Sequence, residues 1–230
     1  MAPILAVTVS DRDIATGGAR RIVDGWRIAV TLLDSCRLIA AAPGVLSAEE
    51  HTRFNAMRHR DAAEARRCAH VFKRQCLAAH LGLAPAAVGF ARDTAGPRLL
   101  PPHSDTHVSL SHAPDAVAVA MAATPVGIDI ERIERADDPV RLAARYFATD
   151  EAHAIAEAPA VDQPFAFAWR WVAKEALLKA CDLKLSVALA TSLGAAPRER
   201  DDLPCTLHVG GAPITIFAPA DGYVCAVARG

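Results

Sequence analysis

The stretch Phe165–Ala180 constrains the possible folds of this chain more than any other. Its apolar residues recur at helical spacing. At about 100° per residue, Trp169, Val172, Ala173, Ala176, Leu177 and Ala180 line one face. Trp171 and Leu178 fall on the opposite side, bracketed by Lys174 and Glu175. A helix apolar on two sides is covered on two sides, which puts it inside a layered fold. Lys174, Glu175 and Lys179 then stand at the margins of a partly desolvated cleft. The i,i+4 spacing of Glu175 and Lys179 also suits a plain surface ion pair, worth about 0.2–0.5 kcal/mol.

Strand-like runs and further helices surround this segment. ILAVTV from Ile4 and WRIAVTLL from Trp26 read as strands. Ser47-Ala-Glu-Glu50 fits a capping box and predicts a helix, and a second helix is expected over about 61–81. VGFARD from Val88 and PRLL from Pro97 suggest a short hairpin around Thr94–Pro97. Strands are expected at 107–112, 116–122 and 126–132, helices near 140–147, 149–158 and 165–180, and closing strands at TLHV, ITIF and YVCAVA. The paired prolines of Pro101–Asp105 suit neither helix nor central strand, so a linker is expected there. The pattern predicts two α+β lobes side by side, 1–105 and 106–230, each mixing strands with a long helix. A chain of 230 residues, 52% hydrophobic, can bury such cores without staples.

Composition excludes several classes of function. Six cysteines (36, 68, 76, 181, 205 and 225) form no CxxC pair, so they read as reduced, mostly buried thiols and not as a disulfide frame or a zinc site. No apolar run approaches the ~20 residues of a bilayer span, and MAPILAVTVSDRD lacks the features of a signal peptide. A cytoplasmic protein with no membrane partner is the expectation. A net charge of −1 argues against a nucleic-acid coat. The charge is unevenly placed, however. Between His51 and Arg74 seven basic residues (Arg53, Arg58, Arg60, Arg66, Arg67, Lys73, Arg74) face only Asp61 and Glu64. Either this is a solvated helix face or it is a site for a multiply charged anion. Arginine outnumbers lysine 21 to four, yet Lys174, Lys179 and Lys184 crowd into eleven positions.

Three constellations could carry chemistry. In Val126-Gly-Ile-Asp-Ile-Glu-Arg132, strand alternation puts Asp129 and Glu131 on one face, roughly 7 Å apart. They could share a hard cation such as Mg²⁺, or they could simply face water on a half-exposed strand. In Ser109-Leu-Ser-His112, Ser109 and Ser111 share a face and His112 ends the strand. A lone histidine is more often structural than a ligand. The third constellation is the helix above. Carboxylates, lysines, a histidine and an arginine cluster suit phosphoryl or pyrophosphate chemistry, where charge neutralisation does most of the work. There is no Walker A sequence and no GxGxxG, which excludes an ATP-cradling P-loop.

GIDIE, followed some forty positions later by WVAKEALLK and preceded by SLSH, resembles the 4′-phosphopantetheinyl transferases of the two-lobed, Sfp-like group. The combination at this separation is specific, and the resemblance runs from about Arg58 to Leu185. It implies a fold of two pseudo-twofold related lobes, each a small antiparallel sheet packed with helices, with coenzyme A in the cleft between them. The reaction implied is Mg²⁺-dependent transfer of 4′-phosphopantetheine from coenzyme A to a serine of an apo acyl carrier or peptidyl carrier protein, releasing 3′,5′-ADP. Fatty-acid, polyketide and nonribosomal-peptide carriers all qualify as partners. A monomer, as a pseudo-dimer, is implied too. By the resemblance Asp129, Glu131 and Glu175 hold magnesium, and Lys179 touches the pyrophosphate. Lys174, Ser111 and His112 belong to the coenzyme site, with Arg60, Pro97 and Arg98 beside the phosphates. Glu175 is the candidate base for the serine proton, with Lys179 as the second catalytic group.

The chain departs from the family pattern in three places. Ala95-Gly96-Pro97-Arg98 stands where Gly-Lys-Pro is common, Ser109 where some members carry asparagine, and Asp182-Leu-Lys-Leu185 where many have Gly-x-Gly-Leu. Losing the glycines removes an easy helix stop, so the helix is expected to run on or leave differently. Two other readings compete with active transfer. A coenzyme A- or carrier-binding protein without turnover would release no 3′,5′-ADP. A nucleic-acid module using the basic helix would bind with strong salt dependence.

Overall fold

Among the described residues two antiparallel sheets form, and each is covered by one long helix. The computed structural model describes residues 27–32, 44–91, 97–194, 197 and 199–230. The run ILAVTV, Cys36 and the expected turn at 94–96 lie outside the described residues.

The first sheet has the order β1-β3-β2, from β1 (Arg27–Leu32), β2 (His107–Ala113) and β3 (Ala116–Ala122). β3, AVAVAMA, is buried along its whole length, which is why it takes the central place. It pairs Val30 with Ala118 on one side and Leu110 with Val119 on the other. Among the described residues two helices belong to this sheet, α1 (Ala48–Asn55) and α2 (Arg60–Leu81). The capping box forms as expected, Glu50 N–H donating to the Ser47 hydroxyl and Ser47 N–H to the Glu50 carboxylate. Cys68, Ala69, Phe72, Cys76 and Leu77 of α2 pack on Ala29, Val108, Val117, Val119 and Met121 of the sheet. The expected hairpin shows as a bridge between Phe90 and Leu99.

The second sheet has the order β4-β7-β6-β5, from β4 (Val126–Arg132), β5 (Cys205–Val209), β6 (Ala212–Phe217) and β7 (Tyr223–Arg229). Its helices are α3 (Pro139–Tyr146), α4 (Thr149–Glu157), α5 (Gln163–Cys181) and α6 (Leu185–Ala190). α5 is the helix with two apolar sides, and both are covered. Trp169, Val172, Ala173, Ala176 and Leu177 pack on Ile214, Ile216, Val224, Ala226 and Ala228 of the sheet. Phe167 and Trp171 join Ala143, Phe147, Ile155 and Leu189 on the other side. Phe147 and Phe167 stack at 5.1 Å, and Phe167 and Trp171 at 5.8 Å.

The described residues divide into two compact units between Ala123 and Thr124. The sequence reading put the break at 105, at the prolines. The division falls later because β2 and β3 complete the sheet begun by β1, and Arg98 bridges His107 at the start of β2. α5 does stop without a glycine: Asp182 takes the left-handed conformation at φ 50°, and its N–H donates to the Leu178 carbonyl. Cys181, Cys205 and Cys225 are free thiols. No helix among the described residues is long and apolar enough to cross a membrane.

Candidate functional site

The second unit brings β4 and α5 together at an unusually close approach. A Cβ at Gly127 would stand 1.9 Å from the Ala176 carbonyl oxygen and 2.6 Å from the Ala180 nitrogen. Only glycine allows α5 to lie this near the strand. Strand alternation then puts Asp129 and Glu131 on the same α5-facing side as Gly127. The sequence alone assigns this glycine no role. Its place one strand period before the aspartate was the available signal.

Lys179 crosses that short gap. Its Nζ lies 2.7 Å from Asp129 Oδ1 and donates to the Ile128 carbonyl at 3.0 Å. Asp129 is only 4% exposed, so the alternative of a solvent-facing acidic strand does not hold for it. Glu131 is half-buried and pairs with Arg135, which the turn Ile133–Arg135 folds back over it. The Arg135 guanidinium also lies over the Trp171 ring, 4.6 Å from its centroid. Glu175 is half-buried on α5.

Burial and neighbouring charge both act on Glu131 and Glu175. Burial pushes Glu131 up to about 7, the charges of Asp129 and Glu175 add to this, and Arg135 and Lys179 oppose it. Burial and the Asp129 charge also push the Glu175 carboxyl up, against Lys179 and Arg135. Asp129, Glu131 and Glu175 are hard oxygen donors of the kind Mg²⁺ takes. Among the described residues, however, no three His, Cys, Asp or Glu side chains are gathered closely enough to hold a metal ion. Two of the three carboxylates instead hold a cation of the chain itself, Lys179 on Asp129 and Arg135 on Glu131.

Lys174 was expected at the coenzyme site. The structure places it wholly inside, paired with Glu151 of α4 at 2.7 Å and donating to the Thr191 carbonyl. Glu151 was missed by sequence reasoning, since nothing in its local spacing announces a partner on another helix.

The remaining expected residues lie in the first unit. Arg60 opens α2 and is exposed. Pro97 is half-buried and Arg98 exposed, next to the start of β2. Ser111 is buried and His112 exposed, four and five residues beyond His107, or roughly 13–17 Å along the strand. Of the seven-residue basic cluster, Lys73 and Arg74 face inward. Arg74 donates to Glu50 at 2.7 Å and to the carbonyls of Pro85 and Val88, while Lys73 lies 4.0 Å from the centre of the Phe90 ring. Arg53, Arg58, Arg60 and Arg66 stay exposed.

Residues 125–228 match the family model of the 4′-phosphopantetheinyl transferase superfamily. The chain is 38% identical over 85 residues to the 4′-phosphopantetheinyl transferase psf-1 of Bacillus pumilus, covering 37% of this chain and 36% of that protein. It is 27% identical over 153 residues to a 4′-phosphopantetheinyl transferase of Bacillus subtilis, covering 66% of each. The matched stretches thus span about a third of the first relative's length and just under two thirds of the second's. The family match starts one residue before β4 and ends one short of the last residue of β7, taking in every strand of the second sheet and α5 between them. The likeness to the 4′-phosphopantetheinyl transferase superfamily thus lies in the second unit and takes in less than half of the chain.

Proposed function

We propose that this chain transfers the 4′-phosphopantetheine group of coenzyme A to a serine hydroxyl of an apo acyl or peptidyl carrier protein. The observation that supports this most is Lys179 on the buried Asp129, with Glu131 and Glu175 near enough to feel that charge, within the unit that matches the family model.

In this reading Asp129, Glu131 and Glu175, which are not gathered as a metal site in this structure, would have to draw together to hold magnesium, which when bound offsets the negative charge of the diphosphate. Lys179 supplies a fixed positive charge near that diphosphate, where the leaving group gains charge. Glu175 takes the proton of the carrier serine as its oxygen attacks the β-phosphorus. The bond from that phosphorus to the departing 3′,5′-ADP breaks as the new phosphoester forms. Arg60, Pro97, Arg98, Ser111 and His112 are proposed as contacts of the coenzyme. Lys73 and Arg74 are left out of the phosphate set, since their side chains are already engaged inside the first unit.

The test is incubation with coenzyme A, Mg²⁺ and a panel of apo-carriers, read by mass spectrometry of the carrier and by release of 3′,5′-ADP. Both the adduct and the nucleotide are expected. Coenzyme binding without 3′,5′-ADP would point to the non-catalytic alternative. Glu175→Gln is expected to cut kcat by about 100-fold or more, in line with loss of a positioned base, while the far-UV spectrum stays unchanged. Normal turnover of this variant would remove Glu175 from the proposal.

A further inference from the structure

The two motif lysines of α5 have opposite surroundings. Lys179 reaches Asp129 and is partly exposed, whereas the Lys174 side chain is 0% exposed. Lys174 Nζ lies 2.7 Å from Glu151 Oε2, donates to the Thr191 carbonyl, and stands 5.0 Å from the centre of the Phe147 ring. Glu151, whose side chain is 2% exposed, uses its other oxygen to accept the Leu193 N–H at 3.1 Å. One ammonium and one carboxylate therefore tie together the first turn of α4, the end of α6, the segment after it, and the middle of α5. A phosphate could reach Lys174 only after this pair had been broken.

A buried ion pair is weak evidence of stability, because desolvating both charges offsets much of their attraction. What it does impose is geometry. Lys174 and Glu175 are neighbours about 100° apart on the helix, so any rotation that relaxes one swings the other. The other side of α5 is held by the Gly127 contact with Ala176 and Ala180. A helix gripped on two sides has its rotation set, and with it the direction in which Glu175 and Lys179 leave the axis.

We propose that Lys174 is a positioning residue: through Glu151 it sets the rotation of α5, and so the placing of Glu175 against β4, without touching the substrate. This inference rests on the function proposed above for its kinetic arm. The experiment compares Glu151→Gln, Lys174→Met and the double variant in the full chain, with Lys174→Arg as a milder change should Lys174→Met not fold. Three quantities are read: kcat for carrier labelling, the Kd of coenzyme A, and the Kd of Mn²⁺ by calorimetry without coenzyme. Either single variant is expected to lower kcat at least tenfold and weaken Mn²⁺ binding at least fivefold. The Kd of coenzyme A should stay within twofold, and the double variant should be no worse than the worse single one. A tenfold loss of coenzyme affinity in the Lys174 variants alone would overturn the inference in favour of direct contact. Additive losses in the double variant, or unchanged kcat and Mn²⁺ binding in Glu151→Gln, would overturn it as well. A wild-type protein that labels no carrier would end the functional reading, and the Mn²⁺ arm would still decide the positioning role. A wild type that neither labels a carrier nor binds Mn²⁺ overturns both.

Discussion

Lys73 shows at the residue scale how much burial changes a side chain. It sits inside the first unit, with Glu50 of α1, Arg53 and Arg74 as its charged neighbours, His70 Nδ1 3.4 Å away, and Phe90 beneath its ammonium. Burial foremost, helped by the charges of Arg74 and Arg53 and opposed by Glu50, lowers its pKa from 10.5 to about 8. The unfolded lysine keeps its proton up to about 10.5, so between these values the unfolded state binds more protons and stability rises with pH. Lys73→Met should therefore flatten the rise in unfolding midpoint between about pH 8 and 10.5, measured by denaturant titration against the wild type. An equal rise in both proteins would refute this. In Glu50 it is the charged form that the fold favours. Burial alone would raise it, but hydrogen bonds from His70 and Ser47 and the Arg74 charge hold its carboxyl well below the usual carboxylate range. Its contribution is present at neutral pH and fades as acid protonates it. The capping box at Ser47–Glu50 was legible from four adjacent residues. The second use of Glu50, as the partner of Arg74 and His70 on α2, was not, because those partners are 20 and 24 positions away.

At the scale of elements, α5 decides the site. Gly127→Ala would push a methyl group into helix backbone, which cannot move aside as a side chain could. We expect a loss of about 3 kcal/mol in unfolding free energy, together with loss of carrier labelling as Lys179 is carried away from Asp129. A variant of wild-type stability and activity would show that the helix–strand distance is not what this glycine provides. The end of the same helix offers a gain. Asp182 holds φ 50°, which a side chain disfavours and glycine does not. Asp182→Gly should stabilise the protein by about 1 kcal/mol, read as a higher thermal midpoint. A lower midpoint would mean that the aspartate side chain contributes more than its backbone costs. Apolar spacing revealed both covered faces of α5, since amphipathic period is a local property. That the helix would still end without glycine depended on one residue accepting an unfavourable conformation, which spacing does not encode.

For the whole molecule, the arrangement of charge argues that any metal serves chemistry and not folding. Asp129 and Glu131 already hold Lys179 and Arg135, so their charge is balanced within the chain. Treatment with EDTA is expected to abolish carrier labelling and shift the thermal midpoint by less than about 2 °C, with activity restored by added Mg²⁺. A large drop in midpoint would make the cation structural. By itself the sequence determined the class of fold, the strands and helices, the spacing of Asp129, Glu131, Glu175 and Lys179, and through these the resemblance to the 4′-phosphopantetheinyl transferases. Each of these is written in local periodicity or in a short motif. Only the tertiary structure decided which cations stay available. It turned Lys73, Arg74 and Lys174 inward, gave Lys179 to Asp129, and made Gly127 the point where helix meets strand. The reason is physical: a charge is spent on whichever partner packing brings within about 3 Å, and those partners come from distant parts of the chain.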